Sequence, residues 1–378
     1  MFVIIMAIAI CFAIVALNAP SPSQGVRVSG DMPASTLSAG LYNVFAVDTG
    51  GKLWGWGQNV RNALQTESSE VLYPIEVLDS VKSVSTFYDS VLAVRVDDTL
   101  WGWGGNGYGE LGLGTNTEAE TAPVKIMEGV AAASAGAAFS AVLKKDGSLW
   151  VSGYNEYGVM GNGTCEDSNV FVKAMDNIRF FDTSDSGVVA VDMDNCLWAW
   201  GENHIVAGDA FSDEADDYSL IDSNGKPASV NKPYKIMDGV RFACHAGDYL
   251  YITKLDGELI EWKTPKSRKT LMREVKYMDA GSLGAAVITY DDSLVCWELP
   301  VLGQNYEERS MIAENVAYTV VAGGFVGYVD KKNDLYCFGL NYNGLVGNGE
   351  NASPDNSPMP DGGYPQSVGV MATTTHGI

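Results

Sequence analysis

The chain reads as an all-β protein, a seven-bladed β-propeller built from repeats of about 47 residues, and three observations carry that reading. The phrase Leu-Trp-x-Trp-Gly stands complete at Leu53–Gly57, Leu100–Gly104 and Leu197–Gly201, and degraded copies begin at Leu149, Leu259, Leu294 and Leu335. The seven leucines lie 47, 49, 48, 62, 35 and 41 residues apart, the period of a four-stranded blade. Each copy follows a turn whose residues tolerate positive φ: Gly50-Gly51, Asp97-Asp98, Asp146-Gly147, Asp194-Asn195, Asp256-Gly257, Asp291-Asp292 and Asn333-Asp334. The 42 glycines suit many short strands joined by such turns.

The third repeat shows the four strands most plainly. Val130–Gly136 is a small apolar run, and Phe139–Leu143 is a second strand reached through a two-residue loop. Asp146-Gly147 then turns the chain into Leu149–Gly153. An Asn-x-x-Gly loop follows at Asn155, as it does at Asn106 and Asn341, and a proline opens the last strand at Pro123 and Pro233. Alternation along the third strand puts Trp54 and Trp56 on one face and Leu53, Gly55 and Gly57 on the other. Such tryptophans read as packing between blades rather than as a ligand cage.

Ahead of the repeats, residues 2–17 are apolar and uncharged, and Pro20-Ser21-Pro22-Ser23 follows. The organisation is therefore a signal peptide or membrane anchor over 1–19, a tether over 20–33 and the propeller over 34–378. Either N-terminal role predicts a protein that is secreted or held on the outer side of the cytoplasmic membrane. Lys plus Arg number 24 against 47 Asp plus Glu, a net charge of −23 that opposes nucleic acid binding and favours solubility. Of six cysteines one is in the apolar segment, and the other five are spread over separate blades, so they read as small buried hydrophobes and not as a disulfide framework.

The combined motifs resemble the regulator of chromosome condensation repeat over about residues 34–378. They are Val-x-x-x-Ser-Ala-Gly at Val130, Asp-Gly-x-Leu-Trp-x-x-Gly-x-Asn-x-x-Gly at Asp146, and Leu-Gly-x-Gly at Leu111. The resemblance implies a seven-bladed propeller. Members of that family include nuclear exchange factors for a small GTPase, chromatin binders and secreted bacterial binders such as the propeller-type β-lactamase inhibitory protein. The chain departs from the family pattern where the histidine opening the second strand is replaced by Asn43, Ser90, Phe139 and Gly187. Repeats five and six also lack the Trp-Gly pair, and the partial unit Val370–Ile378 is expected to complete a blade beside the N-terminal strands. An exchange-factor role conflicts with the expected compartment.

Strand order places the loop after the first strand and the loop after the third at the same end of each sheet. Aromatics gather there: Tyr42, Tyr88, Tyr249 and Phe325 from the first set, Tyr108, Tyr157 and Tyr342 from the second. Tyrosines bury much area at small entropic cost, which suits a protein-binding surface. Eight acids against three lysines in 201–240 read as a solvated excursion rather than a calcium site, since Asp213, Asp216, Asp217 and Asp222 match no EF-hand spacing. The basic cluster from Lys263 to Lys276 is expected to pair with that acidic neighbour, or else to dock an acidic partner. His204, His245 and His376 lie in separate repeats, and the chain holds neither a nucleophile elbow nor a cofactor fingerprint.

These features predict a non-catalytic, extracytoplasmic binding module. It needs no cofactor or metal, acts as a monomer and engages an extracellular protein, with a possible membrane tether through residues 2–17. A carbohydrate-binding or adhesive module recognising a glycan or cell-wall polymer is the alternative. A polysaccharide-active hydrolase or lyase with carboxylates at a channel mouth is a further one.

Overall fold

In the computed structural model, the described residues are 36–202, 230–246, 249–262, 268–281, 284–297, 309–322, 325–339, 344–345 and 347. They form seven antiparallel sheets, spanning 37–78, 81–128, 130–175, 178–237, 240–272, 275–313 and 316–339. Six of these sheets have four strands and the last has three among the described residues, always in chain order. This is a seven-bladed β-propeller fold. The described residues divide into two compact units: the first takes those of Ala34–Asp89 and Lys276–Ile378, the second those of Ser90–Val275. The apolar N-terminal segment and the partial repeat at Val370–Ile378 lie outside the described residues, as does most of the acidic excursion.

Burial follows strand position. The second strand of a blade is covered on both faces, as in Asn43–Val47, Phe139–Lys144 and Gly187–Asp192, where nearly every side chain is buried. Such strands read as continuous apolar runs because neighbouring blades cover both of their faces. The outermost strands, for example Ser168–Met175 and Val230–Met237, alternate between half-buried and exposed. One core cluster of the second unit joins Leu149, Val151 and Met160 to Ile178, Val188 and Trp200. A cluster of the first unit joins Leu37, Val44 and Trp56 to Tyr318, Phe325 and Val329.

The hairpin turns obey one rule throughout. Each is a three-residue loop whose last residue is left-handed: Gly51, Asp98, Gly147, Asn195, Gly257, Asp292 and Asn333, with φ between 63° and 82°. A backbone bond closes each, such as Gly147 N–H to Lys144 O at 3.0 Å and Asn195 N–H to Asp192 O at 3.0 Å. In the seventh repeat the turn sits one residue earlier than the sequence pairing of Asn333 with Asp334, because Asn333 itself takes the left-handed position. The carbonyl of that last residue then accepts a bond from the residue opening the next blade. Examples are Val81 N–H to Gly51 O at 2.8 Å, Ile178 N–H to Gly147 O at 2.9 Å and Val316 N–H to Asp292 O at 2.9 Å. The residue just before each opener is left-handed as well: Ser80, Gly129, Asn177, Gly239, Glu274 and Asn315.

The tryptophans pack as the alternation predicts. Trp200 is fully buried, and its indole N–H donates to Val159 O of the preceding blade at 2.7 Å. Trp56 donates likewise to Leu345 O at 2.8 Å. The first tryptophan of each pair is half-buried and points its N–H at the hairpin turn. Trp54 and Trp198 reach Asp48 Oδ2 and Asp192 Oδ2 directly, at 3.0 and 2.8 Å. Trp101 and Trp150 donate instead to Thr99 Oγ1 and Ser148 Oγ, which in turn donate to Asp97 and Asp146. The glycine closing the motif is obligatory. Gly153 has φ of 114°, and a Cβ there would lie 2.4 Å from Ala138 O.

Candidate functional site

The loops after the first and third strands meet at one end of their sheets, as strand order requires. Gln58 N–H donates to Tyr42 O at 2.7 Å, Tyr154 N–H to Ala138 O at 2.9 Å and Glu202 N–H to Ser186 O at 2.9 Å. The Asn-x-x-Gly loops owe their shape to the asparagine. Asn155 is fully buried; its carboxamide oxygen accepts from Met160 N–H at 2.9 Å, and its amide group donates to Thr164 O and Glu166 O at 3.1 and 2.9 Å. Asn106 repeats the pattern with Leu111 N–H, Thr115 O and Thr117 Oγ1. Asn59 does the same with Leu64 N–H, Thr66 O and Ser68 O, although no glycine follows it at the third place. Asn62 and Gln65 take the left-handed backbone that Gly109 and Gly112 supply in the next repeat.

On these frames the second unit carries an aromatic trio. Tyr108 and Tyr157 are 51% and 37% exposed. Tyr154 lies between them, with ring centroids 5.1 Å from Tyr108 and 6.2 Å from Tyr157, both edge to face. Tyr154 is the residue that sequence reasoning missed. Its position directly after the motif glycine is Gln58, Gly105 and Glu202 in other repeats, so no repeat signal marked it. Its hydroxyl donates to Glu156 Oε2, and this bond, with some desolvation and the Glu156 charge, lifts the phenol to about 12. Tyr154 therefore remains a neutral donor at any physiological pH. Backbone bonds to carboxylates hold the neighbours: Tyr108 N–H on Glu110 Oε2 at 2.9 Å, and Asn155 N–H on Asp167 Oδ1 at 2.7 Å.

The first unit has a smaller aromatic group. Tyr88, 37% exposed and left-handed at φ of 47°, lies 6.4 Å from the half-buried Tyr42 and 5.0 Å from Phe87. Arg61 pairs with Asp89 beside it at 2.5 Å. Phe325 departs from the expectation: it is fully buried in the core with Leu37 and Val44. It opens a second strand, Phe325–Asp330, at the repeat position held by the buried Asn43, Ser90 and Phe139, and blade packing claims that position. Tyr249 opens Tyr249–Lys254 in the same way and is half-buried, its ring 6.3 Å from Tyr251. Tyr342 lies outside the described residues.

Other sequence candidates resolve locally. From the basic cluster, Arg273 pairs with Glu258 at 3.2 Å and Lys276 with Asp292 at 2.5 Å, both acids at hairpin turns, while the acidic excursion lies mostly outside the described residues. Cys196, Cys244, Cys296 and Cys337 are buried, and burial pushes Cys296 and Cys337 up to about 12. Cys165 is a correction: it is exposed, on the loop after the third strand of its blade. Among the described residues no group of three or more His, Cys, Asp or Glu side chains could hold a metal ion. Nor, among them, is any helix long and apolar enough to cross a membrane.

Seven sheets, each made of consecutive antiparallel strands, define the class as a β-propeller. Part of the chain carries the regulator of chromosome condensation repeat. Residues 97–143 and 130–159 each match the family described as regulator of chromosome condensation (RCC1) repeat. No curated protein matches the chain in sequence. Among solved structures, a chain from the crystal structure of Kap60 bound to yeast RCC1 (Prp20) is similar, with a TM-score of 0.66 at 14% identity, over 84% of this chain and 83% of that one. Human WBSCR16 matches with a TM-score of 0.54 at 18% identity, covering 85% and 80%. The CRINKLY WD40 ectodomain of the Arabidopsis thaliana receptor kinase ACR4 gives 0.52 at 14%, covering 82% and 97%. At these identities the likeness establishes the fold alone.

Proposed function

We propose that the protein is a non-catalytic, extracytoplasmic binding module whose tyrosine-bearing loops engage a protein partner. The observation that carries this reading is the trio of Tyr108, Tyr154 and Tyr157, with two rings well exposed on loops braced by buried asparagines. Rigid aromatic groups of this kind lose little entropy on binding and concentrate interface energy. Tyr42 and Tyr88 supply a second patch of the same chemistry. The compartment follows from the apolar run 2–17. An RCC1-repeat propeller fits a protein-interaction role, and the ACR4 structure shows the fold in a receptor ectodomain.

The test is capture of partners from the native cell surface by the intact protein and by a Tyr108→Ala/Tyr157→Ala variant. Loss of a specific protein partner from the variant, with an unchanged thermal midpoint, is the expected result. A partner held equally well by both proteins, or specific retention on a glycan array instead, would overturn the reading.

A further inference from the structure

We infer that the Tyr108–Tyr154–Tyr157 patch receives an arginine-bearing basic segment of the partner protein, an inference that rests on the binding reading above. The first ground is the charge of the loops that surround the trio. The loop segments 105–121, 136–138, 153–169 and 184–186 hold seven acids and neither a lysine nor an arginine. Glu118, Glu156, Glu166, Asp167 and Asp185 among them are exposed. Lys232 of the neighbouring blade lies over Gly163, where an added Cβ would come 2.7 Å from Lys232 Cε.

The opposite end of the same blades is mixed, with Arg95, Lys144 and Lys145 beside the turn acids. There the protein stacks its own cations on its own aromatics. The Arg95 guanidinium lies 5.2 Å from the Trp101 ring centre, and the Lys144 ammonium 5.9 Å from that of Trp150. Lys145 pairs with Asp98 across adjacent turns. The loop segments around the trio offer the complementary half of that arrangement: exposed tyrosine rings and carboxylates. An incoming cation would complete it.

Arginine fits better than lysine. Its planar guanidinium stacks on a tyrosine face while its fork bonds a carboxylate, and it sheds water more readily than an ammonium group. The edge-to-face arrangement of the trio, with ring planes 62° and 76° apart, sets the tyrosine faces in different directions, so that one segment could place more than one side chain. Glu156 already orders the Tyr154 hydroxyl and stands within the trio as its nearest carboxylate.

The experiment is fluorescence anisotropy of a labelled dodecapeptide of alternating Arg and Gly, titrated with the full-length protein. Matched Lys-Gly and Glu-Gly peptides run beside it. Expected is saturable binding of the arginine peptide, several-fold weaker binding of the lysine peptide and none of the glutamate peptide. Tyr108→Ala/Tyr157→Ala should weaken the arginine peptide about ten-fold, and Glu118→Gln/Glu156→Gln/Glu166→Gln by a similar factor. Glu128→Gln/Asp176→Asn, at the far end of the outer strands, should leave it unchanged.

Binding that ignores both site variants, falls equally with the distal pair, or is absent altogether overturns the inference. Failure here is separable from failure of the binding reading. A partner lost with the tyrosines, yet indifferent to the acid variant and not displaced by the arginine peptide, would refute the basic segment and leave the module standing. A partner retained by the tyrosine variant would remove the module itself.

Discussion

Asp182 shows how one repeat position can carry different chemistry. It occupies the place on the first strand held by Ser38 and Ser134 in other blades, where a small polar side chain ties one blade to the next. Ser38 Oγ accepts Thr86 N–H at 3.1 Å, and Ser134 Oγ lies 2.7 Å from Thr183 Oγ1. Asp182 instead accepts the backbone N–H groups of Thr183 and His245. The residue keeps part of its surface accessible, but protein packed around the carboxylate dominates, and desolvation lifts it to about 6. A raised carboxylate means that the native state holds its proton longer than the unfolded chain does. The contribution to stability is thus fully present below about pH 4 and is lost as pH rises to about 6. Discounted for the residual access, the loss comes to about 2 kcal/mol. Asp182→Asn, which keeps an acceptor for both N–H groups, should therefore be more stable than the wild type at pH 7 and lose that advantage by pH 4. Paired urea melts at the two pH values check it, and a stability difference independent of pH would refute the assignment.

At the scale of the element, the loop that bears Tyr157 depends on Asn155 rather than on its glycines alone. Three backbone groups bond to one buried carboxamide. Asn155→Ala should cost about 2–4 kcal/mol, since it leaves those groups unsatisfied beside a cavity. The denaturation midpoint should fall with the urea slope unchanged, and an exposed-surface effect of a few tenths of a kcal/mol would show the loop to be held otherwise. The Asn-x-x-Gly spacing was legible at Asn106 and Asn155, but Asn59 was not. The left-handed sites there are filled by Asn62 and Gln65, so the glycine signature was absent while the geometry persisted. Strand ends were harder still to read. Phe325 and Tyr249 looked like loop aromatics only because the short loop before them hides where the second strand begins. Edge protection, by contrast, is plain in the sequence: Pro74, Pro123 and Pro233 stand in outermost strands, where a missing N–H discourages pairing with another chain.

At the scale of the whole molecule, net charge and compartment are the testable properties. A fusion of residues 1–24 to a reporter enzyme that is active only outside the cytoplasm should be active, and deletion of residues 2–17 from that fusion should abolish activity. Activity without the apolar segment, or none with it, would return the propeller to the cytoplasm. The net charge of −23 is spread unevenly, since the loop segments around the trio hold acids and neither lysine nor arginine, while acids and bases mix at the hairpin-turn end of the same blades.

The amino-acid sequence by itself determined the blade count, six of the seven turn positions and the packing role of the tryptophans. These depend on local backbone preference and on alternation, both of which recur at a fixed period. Only the tertiary structure decided which aromatics face outward. Tyr154 becomes the centre of the trio, and Phe325 joins the core, through contacts between residues of different strands and blades. No periodic signal encodes those contacts. Exposure of a ring is set by what packs over it, and that partner lies in a neighbouring blade, dozens of residues or more away along the chain.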